Sequence, residues 1–459
     1  MNRWSFTAIF APYNPRVLVM GICRLVPLAL FLALAIPLVS AEEYIFCFPL
    51  NFRANHTKYR DTDSTRPKGL QHSVTMGSNA ATSARVRIPS VGFDTTLTLS
   101  PGTSTTVSLP GEPIVANAGS SAHTVFITAD TALAITALSS RFQSSEAFAV
   151  HSTRQIGTSY VVASYGKLAN DLIGQFSIIG TTDGTQVKIS GPAPSIAFDS
   201  TLAEGFMIML DRGDVWTYSA PFNKDQPCDP TGTLITSTAP VAVVSGHNCA
   251  YVPAKTEVCN PLYEQLLPLS SLSKSVFVPP LEGRDFSIVR VIATSEGAAL
   301  SVNGKRIDNL PGQGFTDLDR RREPVWIEAD QVIQVMLLTP GYKSGDSIGD
   351  PCLITIPGSA DYAREHMIST VSGKGWENYI TVILPPDHDE DVLIDGKPLD
   401  DSLINEHDAS DHRWASVRVT PGTHIIASEE PFGVFVHGLG VGHNIYDAYG
   451  FGGSTVLKK

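Results

Sequence analysis

Four stretches of the chain share one hydrophobic pattern: a β-branched or aromatic run, a few polar residues, then a second apolar run. They are Val125–Leu138 (VFITADTALAITAL), Thr233–His247 (TLITSTAPVAVVSGH), Val325–Thr339 (VWIEADQVIQVMLLT) and Ile425–Leu439 (IIASEEPFGVFVHGL). Each reads as strand, polar turn, strand, and they recur about every 90–110 residues, as internal repeats do. In two of them a proline, Pro240 or Pro431, stands just before the second strand. A second pattern recurs upstream at the same interval. Ser177–Gly191, Val289–Gly304 and Tyr379–Gly396, with Ala84–Gly102 as a looser counterpart, all read strand, tight turn, strand, ending on glycine. Asp183-Gly184 is the strongest hairpin signal, because both central residues of such a turn favour positive φ. Connecting pieces follow the first three units at Ala147–Tyr165, Glu264–Pro280 and Leu353–Val371. No apolar i, i+3, i+4 spacing persists long enough for an extended helix, and Ser359–Met367 is the one segment read as a short helix.

These patterns predict an all-β chain of about four repeated β-sandwich-like units of ~100 residues packed together, with alternating faces buried between two sheets. The unit boundaries fall near 44–165, 166–284, 285–371 and 372–450, leaving 451–459 as a C-terminal tail. A four-bladed β-propeller-like assembly is the alternative, since four equal units can also close radially.

The N-terminus adds a compartment. Arg16 and Arg24 precede an apolar run from Leu25 to Val39, and Val39-Ser40-Ala41 supplies the small residues of a cleavage site before Glu42 and Glu43. Residues 1–41 are therefore read as a signal peptide, and Met20 gives a leader of more usual length. A membrane anchor is the other reading, but the run is shorter than the ~20 residues that span a bilayer and contains Pro27 and Pro37. No later segment has transmembrane length, so the mature chain is expected to be secreted and extracellular with no membrane span. A net charge of −12 and basic residues that cluster only at Arg320-Arg321-Arg322 argue against a nucleic-acid partner.

With Cys23 in the leader, Cys47, Cys228, Cys249, Cys259 and Cys352 remain. Cys249 and Cys259 are the nearest pair and are expected to form a disulfide, with Cys228 and Cys352 as a second pairing. The odd number leaves a cysteine free or available to a disulfide-linked partner. Asn55-His56-Thr57 is a glycosylation sequon, usable only in a eukaryotic host.

Candidate chemistry is sparse. His247 and Cys249 share a strand face, as a base and a thiol nucleophile do, but a disulfide accounts for the cysteine. Asp387, Asp389 and Asp391 match the start of a calcium loop, yet Val392 and Pro398 stand where it needs Gly and Glu, so they read as an acidic turn. His407, Asp408, Asp411 and His412 form another polar cluster, without a ligand spacing that names a metal. Gly438, Gly440 and Gly442 lack the helix a dinucleotide loop requires and read as a turn. No metal, no cofactor and no catalytic residue is assigned, and the chain is read as a non-enzyme. On a β scaffold, partners are met by loops gathered at one end, through aromatic and Arg anchors. Tyr251, Tyr263, Arg284, Tyr446 and Tyr449 are the residues chosen for that role.

One segment carries a family signature. It contains Thr231-Gly232-Thr233, then Gly246-His247-Asn248-Cys249-Ala250, then Glu264-Gln265-Leu266-Leu267-Pro268, and closes on Val276-Phe277-Val278-Pro279-Pro280-Leu281-Glu282-Gly283-Arg284. Phe46-Cys47-Phe48-Pro49-Leu50-Asn51, Gly157-Thr158-Ser159-Tyr160-Val161-Val162, Gly349-Asp350-Pro351 and Ile354-Thr355-Ile356-Pro357 extend the match over about residues 44–450. In these motifs the chain resembles the IgGFc-binding protein N-terminal domain family, with residues 42–450 as the domain, read as a stand-alone single-domain member. The resemblance implies a secreted binding or adhesion protein whose partner is an extracellular protein or glycoprotein, with immunoglobulin Fc as the family's namesake ligand. A structural component of mucus, matrix or cell envelope is the alternative role, and a secreted hydrolase is the third.

Overall fold

The polar residues inside the recurring segments bend a strand rather than reverse it. In the computed structural model the described residues are 41–52, 69–141, 143–166, 172–191, 202, 204–220, 229–254, 256–344, 347–373, 375–442, 446–453 and 455–458. Residues 1–40 of the segment read as a signal peptide, Asn55 and Cys228 lie outside them. The first unit contains β1 (Glu42–Phe46), β2 (Phe48–Pro49), β3 (Gln71–Gly77), β4 (Thr82–Ile88), β5 (Phe93–Leu99), β6 (Ser104–Leu109), β7 (Val115–Ala116), β8 (Gly119–Ser121), β9 (Val125–Ala129), β10 (Ala134–Arg141) and β11 (Ser144–Ala149). The second contains β12 (Gly157–Val161), β13 (Gly174–Gly180), β14 (Thr185–Ser190), β15 (Phe206–Leu210), β16 (Val215–Ser219), β17 (Leu234–Tyr251) and β18 (Cys259–Gln265). The third contains β19 (Ser273–Val278), β20 (Ser287–Ala293), β21 (Leu300–Val302), β22 (Lys305–Arg306), β23 (Phe315–Arg321), β24 (Val325–Leu338) and β25 (Leu353–Thr355). The fourth contains β26 (Ala363–Ser369), β27 (Trp376–Leu384), β28 (Leu393–Ile394), β29 (Lys397–Pro398), β30 (Asn405–His407), β31 (His412–Val419), β32 (Thr423–Gly440), β33 (Ala448–Gly452) and β34 (Thr455–Lys458).

One topology repeats four times. The first half of β17 pairs with β12 and β14, and its second half pairs with β13 and β18. In the same way β24 joins β19 and β21 to β20 and β25, and β32 joins β26 and β28 to β27 and β33. In the first unit the long strand is split: β9 pairs with β1 and β4, and β10 with β3 and β11. Each unit is thus a two-sheet sandwich whose sheets share a bent strand, the geometry of a corner where a strand changes sheets. At the corner the pairing with β12, β19 and β26 skips residues 237–240, 329–332 and 428–431, and in the first unit the chain opens over 130–133. A carbonyl at the end of three of these corners receives a comparable hydrogen bond: Tyr44 Oη to Leu133, 3.1 Å, Tyr160 Oη to Val241, 2.8 Å, and His366 Nε2 to Phe432, 2.9 Å.

The burial pattern follows from this shape. Before the corner, residues of β17 alternate between exposed and covered, as in a sheet with one wet face; from Val241 to Ala250 every residue is buried, because both faces are covered. The last strands of the units explain the second covering. β11 packs against β18 and β33, and β25 packs against the same two, so the four units form a closed ring around their last strands. The ring closes radially, as the propeller alternative requires, but its members are two-sheet units.

Several sequence expectations change. The strands flanking Asp183-Gly184 do not pair with each other: β13 and β14 lie on opposite halves of β17, so this turn arches between sheets. Two-residue hairpin turns with positive φ stand instead at Asn303-Gly304, between β21 and β22, and at Asp395-Gly396, between β28 and β29. Ser359–Met367 is not a helix: a 3-10 turn over Ser359–Asp361 leads into β26, whose backbone is claimed by β32 and β34 on either side. The last residues are not a loose tail, since β33 reaches Gly452 and β34 pairs with β26. The connecting pieces supply strands at both ends, each holding the last strand of one unit and the first of the next. No helix among the described residues is long and apolar enough to cross a membrane.

Candidate functional site

Because each bent strand runs to the ring axis and its successor returns along it, the loops between them gather at one end of the ring. Their described residues are 252–254, 256–258, 339–344, 347–352, 441–442 and 446–447, with Gln143 from the first unit. They are tied to one another. Gly341 N donates to the Val252 carbonyl, Lys343 pairs with Glu257 at 2.6 Å, and the rings of Tyr342 and Tyr446 stack at 4.1 Å. Asn260 Nδ2 donates to the carbonyls of Ser145 and Pro351, and Ser145 Oγ donates to Asp447. Arg284 enters from the turn between β19 and β20 and donates to the carbonyls of Pro340, Gly349 and Asp350, holding the 339–352 loop. The disulfide Cys249–Cys259 closes the 252–258 loop at its root.

On this crown Tyr251, Tyr342 and Tyr446 are half-buried, while Ile348 and Val441 are exposed at 42% and 37%. An amphipathic, partly apolar surface on loops pinned to a rigid ring is suited to protein contact. Of the residues chosen from the sequence, Tyr251, Tyr446 and Arg284 come together here. Tyr263 and Tyr449 do not: both are fully buried on β18 and β33, and Tyr449 Oη donates to Asn378 at 2.6 Å. Every residue of β18 and β33 is buried, because both faces of these axial strands are covered, so neither tyrosine is open to a partner. Tyr342, Ile348 and Val441 were missed, though an isolated aromatic in a Gly- and Ser-bearing loop was a usable signal.

The signature motifs build joints between units. Arg290, fully buried on β20, donates to both oxygens of Asp317 at 2.7 and 2.9 Å, to Asp229 at 3.0 Å and to the Ser164 carbonyl at 2.6 Å. Its guanidinium lies between Phe315 and Tyr165, 4.0 and 4.9 Å from their centroids. Burial lowers and the two aspartates raise the guanidinium's affinity for its proton, and the aspartates win. Burial likewise pushes Asp229 up, but Arg290 and the hydroxyl and amide of Thr231 hold it below the usual carboxylate range. Thr231 of the Thr-Gly-Thr motif therefore seats a buried ion cluster between the second and third units. Arg290 is the lone charge in an apolar strand, Ser287–Ala293, and that isolation is the sequence signal for a buried ion cluster.

His247 is buried, its Nδ1 accepts the Cys249 amide at 3.0 Å, and burial pushes it down to about 4, so it is a neutral imidazole beside a bonded sulfur. Gly246 before it has φ +152°, and a Cβ there would overlap the Leu262 carbonyl. Glu264 of the Glu-Gln-Leu motif points into the ring axis, where Oε1 accepts the amides of Thr355 at 2.6 Å and Gly452 at 3.0 Å. Glu146 accepts the amides of Ala147 and Gly450 alongside it. Burial pushes Glu264 up to about 8, and burial, reinforced by Glu264, raises Glu146 well above the usual range. Gln265 Oε1 accepts the His151 amide, completing the tie to the first unit.

The remaining candidates are structural. His407 and His412 share Ser410 Oγ at 2.8 and 3.0 Å, and His412 stacks on Phe277 at 4.7 Å. Asp387, Asp389 and Asp391 are exposed, with the Asp389 amide held by Glu430. Gly438 lies under the Tyr449 ring. Of the Cys228–Cys352 pairing, Cys228 lies outside the described residues; Cys352 is a free buried thiol that accepts from Thr339 Oγ1, and Cys47 is likewise free and buried. Burial pushes the Cys47 thiol up to about 12.

Comparison with known proteins agrees with the motifs. A family model described as IgGFc binding protein matches residues 146–438. A human relative, IgGFc-binding protein, is 26% identical over 342 residues, covering 72% of this chain, while the chain spans 6% of that relative's length. The match runs from Glu146 at the ring axis to Gly438 beneath Tyr449 and takes in the buried joints just described; the chain belongs to the IgGFc binding protein family.

Proposed function

We propose that this chain is a secreted extracellular binding protein that recognises a protein or glycoprotein partner through the loop crown, with immunoglobulin Fc as the first partner to test. The observation that carries the reading is the convergence of Tyr251, Tyr342, Tyr446, Ile348 and Val441 on loops braced by the Cys249–Cys259 bond and by Arg284, in a member of this family. The leader at 1–41 supports export, and a disulfide is at home in an oxidising compartment. Binding rather than catalysis fits a site whose polar groups are committed to holding loops.

The test is biolayer interferometry of the purified chain against immobilised Fc and against a mucin glycoprotein. Binding that Y342S/Y446S weakens tenfold or more, as loss of central aromatic anchors does, supports the proposal. Absence of binding to both ligands, or binding untouched by the double substitution, overturns it.

A further inference from the structure

Each unit ends one sheet on an equivalent edge strand: β5, β15, β22 and β29. A free edge is a template for pairing with another chain, and proteins guard it with charge, proline or shortness. Three of the four are guarded. β5 carries Asp94, locked to Arg85 by two hydrogen bonds of 2.9 and 2.6 Å, and three threonines. β22 is only Lys305-Arg306 and β29 only Lys397-Pro398, all exposed. β15 breaks the pattern. Its sequence Phe-Met-Ile-Met-Leu has no charge and no proline, and Met207 and Met209 are exposed at 63% and 66%, the two most exposed large apolar side chains among the described residues. Among those residues β14 is its sole strand neighbour.

We propose that this edge is an interaction surface for a second copy of this chain, with β15 pairing antiparallel to its counterpart about a two-fold axis at Ile208. The sequence is complementary to itself about that residue. Met207 falls opposite Met209 of the second copy on the same face, Phe206 opposite Leu210, and the flanking Glu204 opposite Arg212, an arginine exposed beside Glu43. No like charges face each other across the seam, and apolar cross-strand pairs replace two wet methionines. The two sheets would continue as one through the dimer, a β-augmentation in which main-chain hydrogen bonds supply affinity. A seam of five residues, about 17 Å long, buries less than the ~1,200 Å² of a stable interface, so the dimer is weak and reversible. The edge lies on the outer sheet of the second unit and the crown on the loops that follow the bent strands; pairing here is independent of the crown's ligand.

Sedimentation velocity of the purified full chain, from submicromolar to submillimolar concentration, tests this directly. Wild type is expected to shift from monomer to dimer across the series. M207K/M209K sets like charges opposite twice and is expected to raise the dissociation constant at least about tenfold. M207K/M209E sets opposite charges face to face twice and is expected to restore dimerisation. Circular dichroism and melting temperature establish that both variants are folded. A wild type that stays monomeric throughout overturns the proposal, as does undiminished dimerisation of M207K/M209K. Failure of M207K/M209E to recover what M207K/M209K loses overturns the register at Ile208.

Discussion

Glu264 should make this protein less stable as the pH rises through neutrality. Its carboxyl is fully buried at the ring axis, held up to about 8 by burial despite two backbone amides that favour the ionised form. In the unfolded chain it titrates near the ordinary value of 4.5. The folded state therefore binds the extra proton between these values, so its contribution is full below pH 4.5 and is lost as pH climbs to 8 and beyond. At ~1.36 kcal/mol per unit, the loss between pH 5 and 7 is roughly 2–3 kcal/mol. E264Q removes this titration while keeping an oxygen for the amides of Thr355 and Gly452. Other groups pull the opposite way: burial holds His72, His151, His247 and His366 down to about 4, so their stabilising contribution is lost as pH falls from 6.5 through 4. The difference between variant and wild type isolates the glutamate from them. Urea unfolding at pH 5, 6, 7 and 8 should show E264Q gaining on wild type by roughly 2–3 kcal/mol from pH 5 to 7. A pH-independent difference, or one of opposite sign, would refute the assignment of a protonated carboxyl to the axis.

Three further outcomes follow from the joints. R290M leaves Asp229 and Asp317 without their cation and should cost about 3–5 kcal/mol in urea unfolding, part of it recovered by R290M/D229N/D317N; an unchanged midpoint for R290M contradicts the ion-cluster reading. C249S/C259S releases a ten-residue closure and should cost about 2–3 kcal/mol, again by urea midpoint. G246A forces a Cβ against the Leu262 carbonyl at φ +152°, so folded protein should be scarce or melt well below wild type. A wild-type melting temperature would show that the backbone there relaxes freely.

How much of this was legible depends on which physical rule decided each feature. The fourfold recurrence was readable because β-branched runs and glycine turns repeat with the fold. The sense of the polar interruptions was not. A strand that bends across a sandwich corner and one that reverses in a hairpin share the same apolar, polar, apolar pattern, and only the ladders of β17, β24 and β32 distinguish them. Asp183-Gly184 misled for a related reason: a turn sequence fixes local φ but not whether the flanking strands share a sheet. Nearest-pair spacing pointed to the Cys249–Cys259 bond and the motifs to the family, yet Thr231, His247 and Glu264 serve buried joints. Their partners, Arg290 and the amides of Thr355 and Gly452, lie far away in sequence, where no spacing rule reaches. The unguarded β15 emerges only when equivalent strands are aligned by topology, since β22 and β29 have shrunk to two residues.

Four β-sandwich units close into a ring, and the proposed function has its gathered loops meet the partner. The decisive measurement is hydrogen–deuterium exchange of the chain alone and with the ligand that binds in interferometry. Ligand-induced protection is expected at 251–258, 339–352 and 441–447, with the ring strands β11, β18, β25 and β33 slow in both states. Protection confined to the outer sheets with these loops unaffected would contradict it.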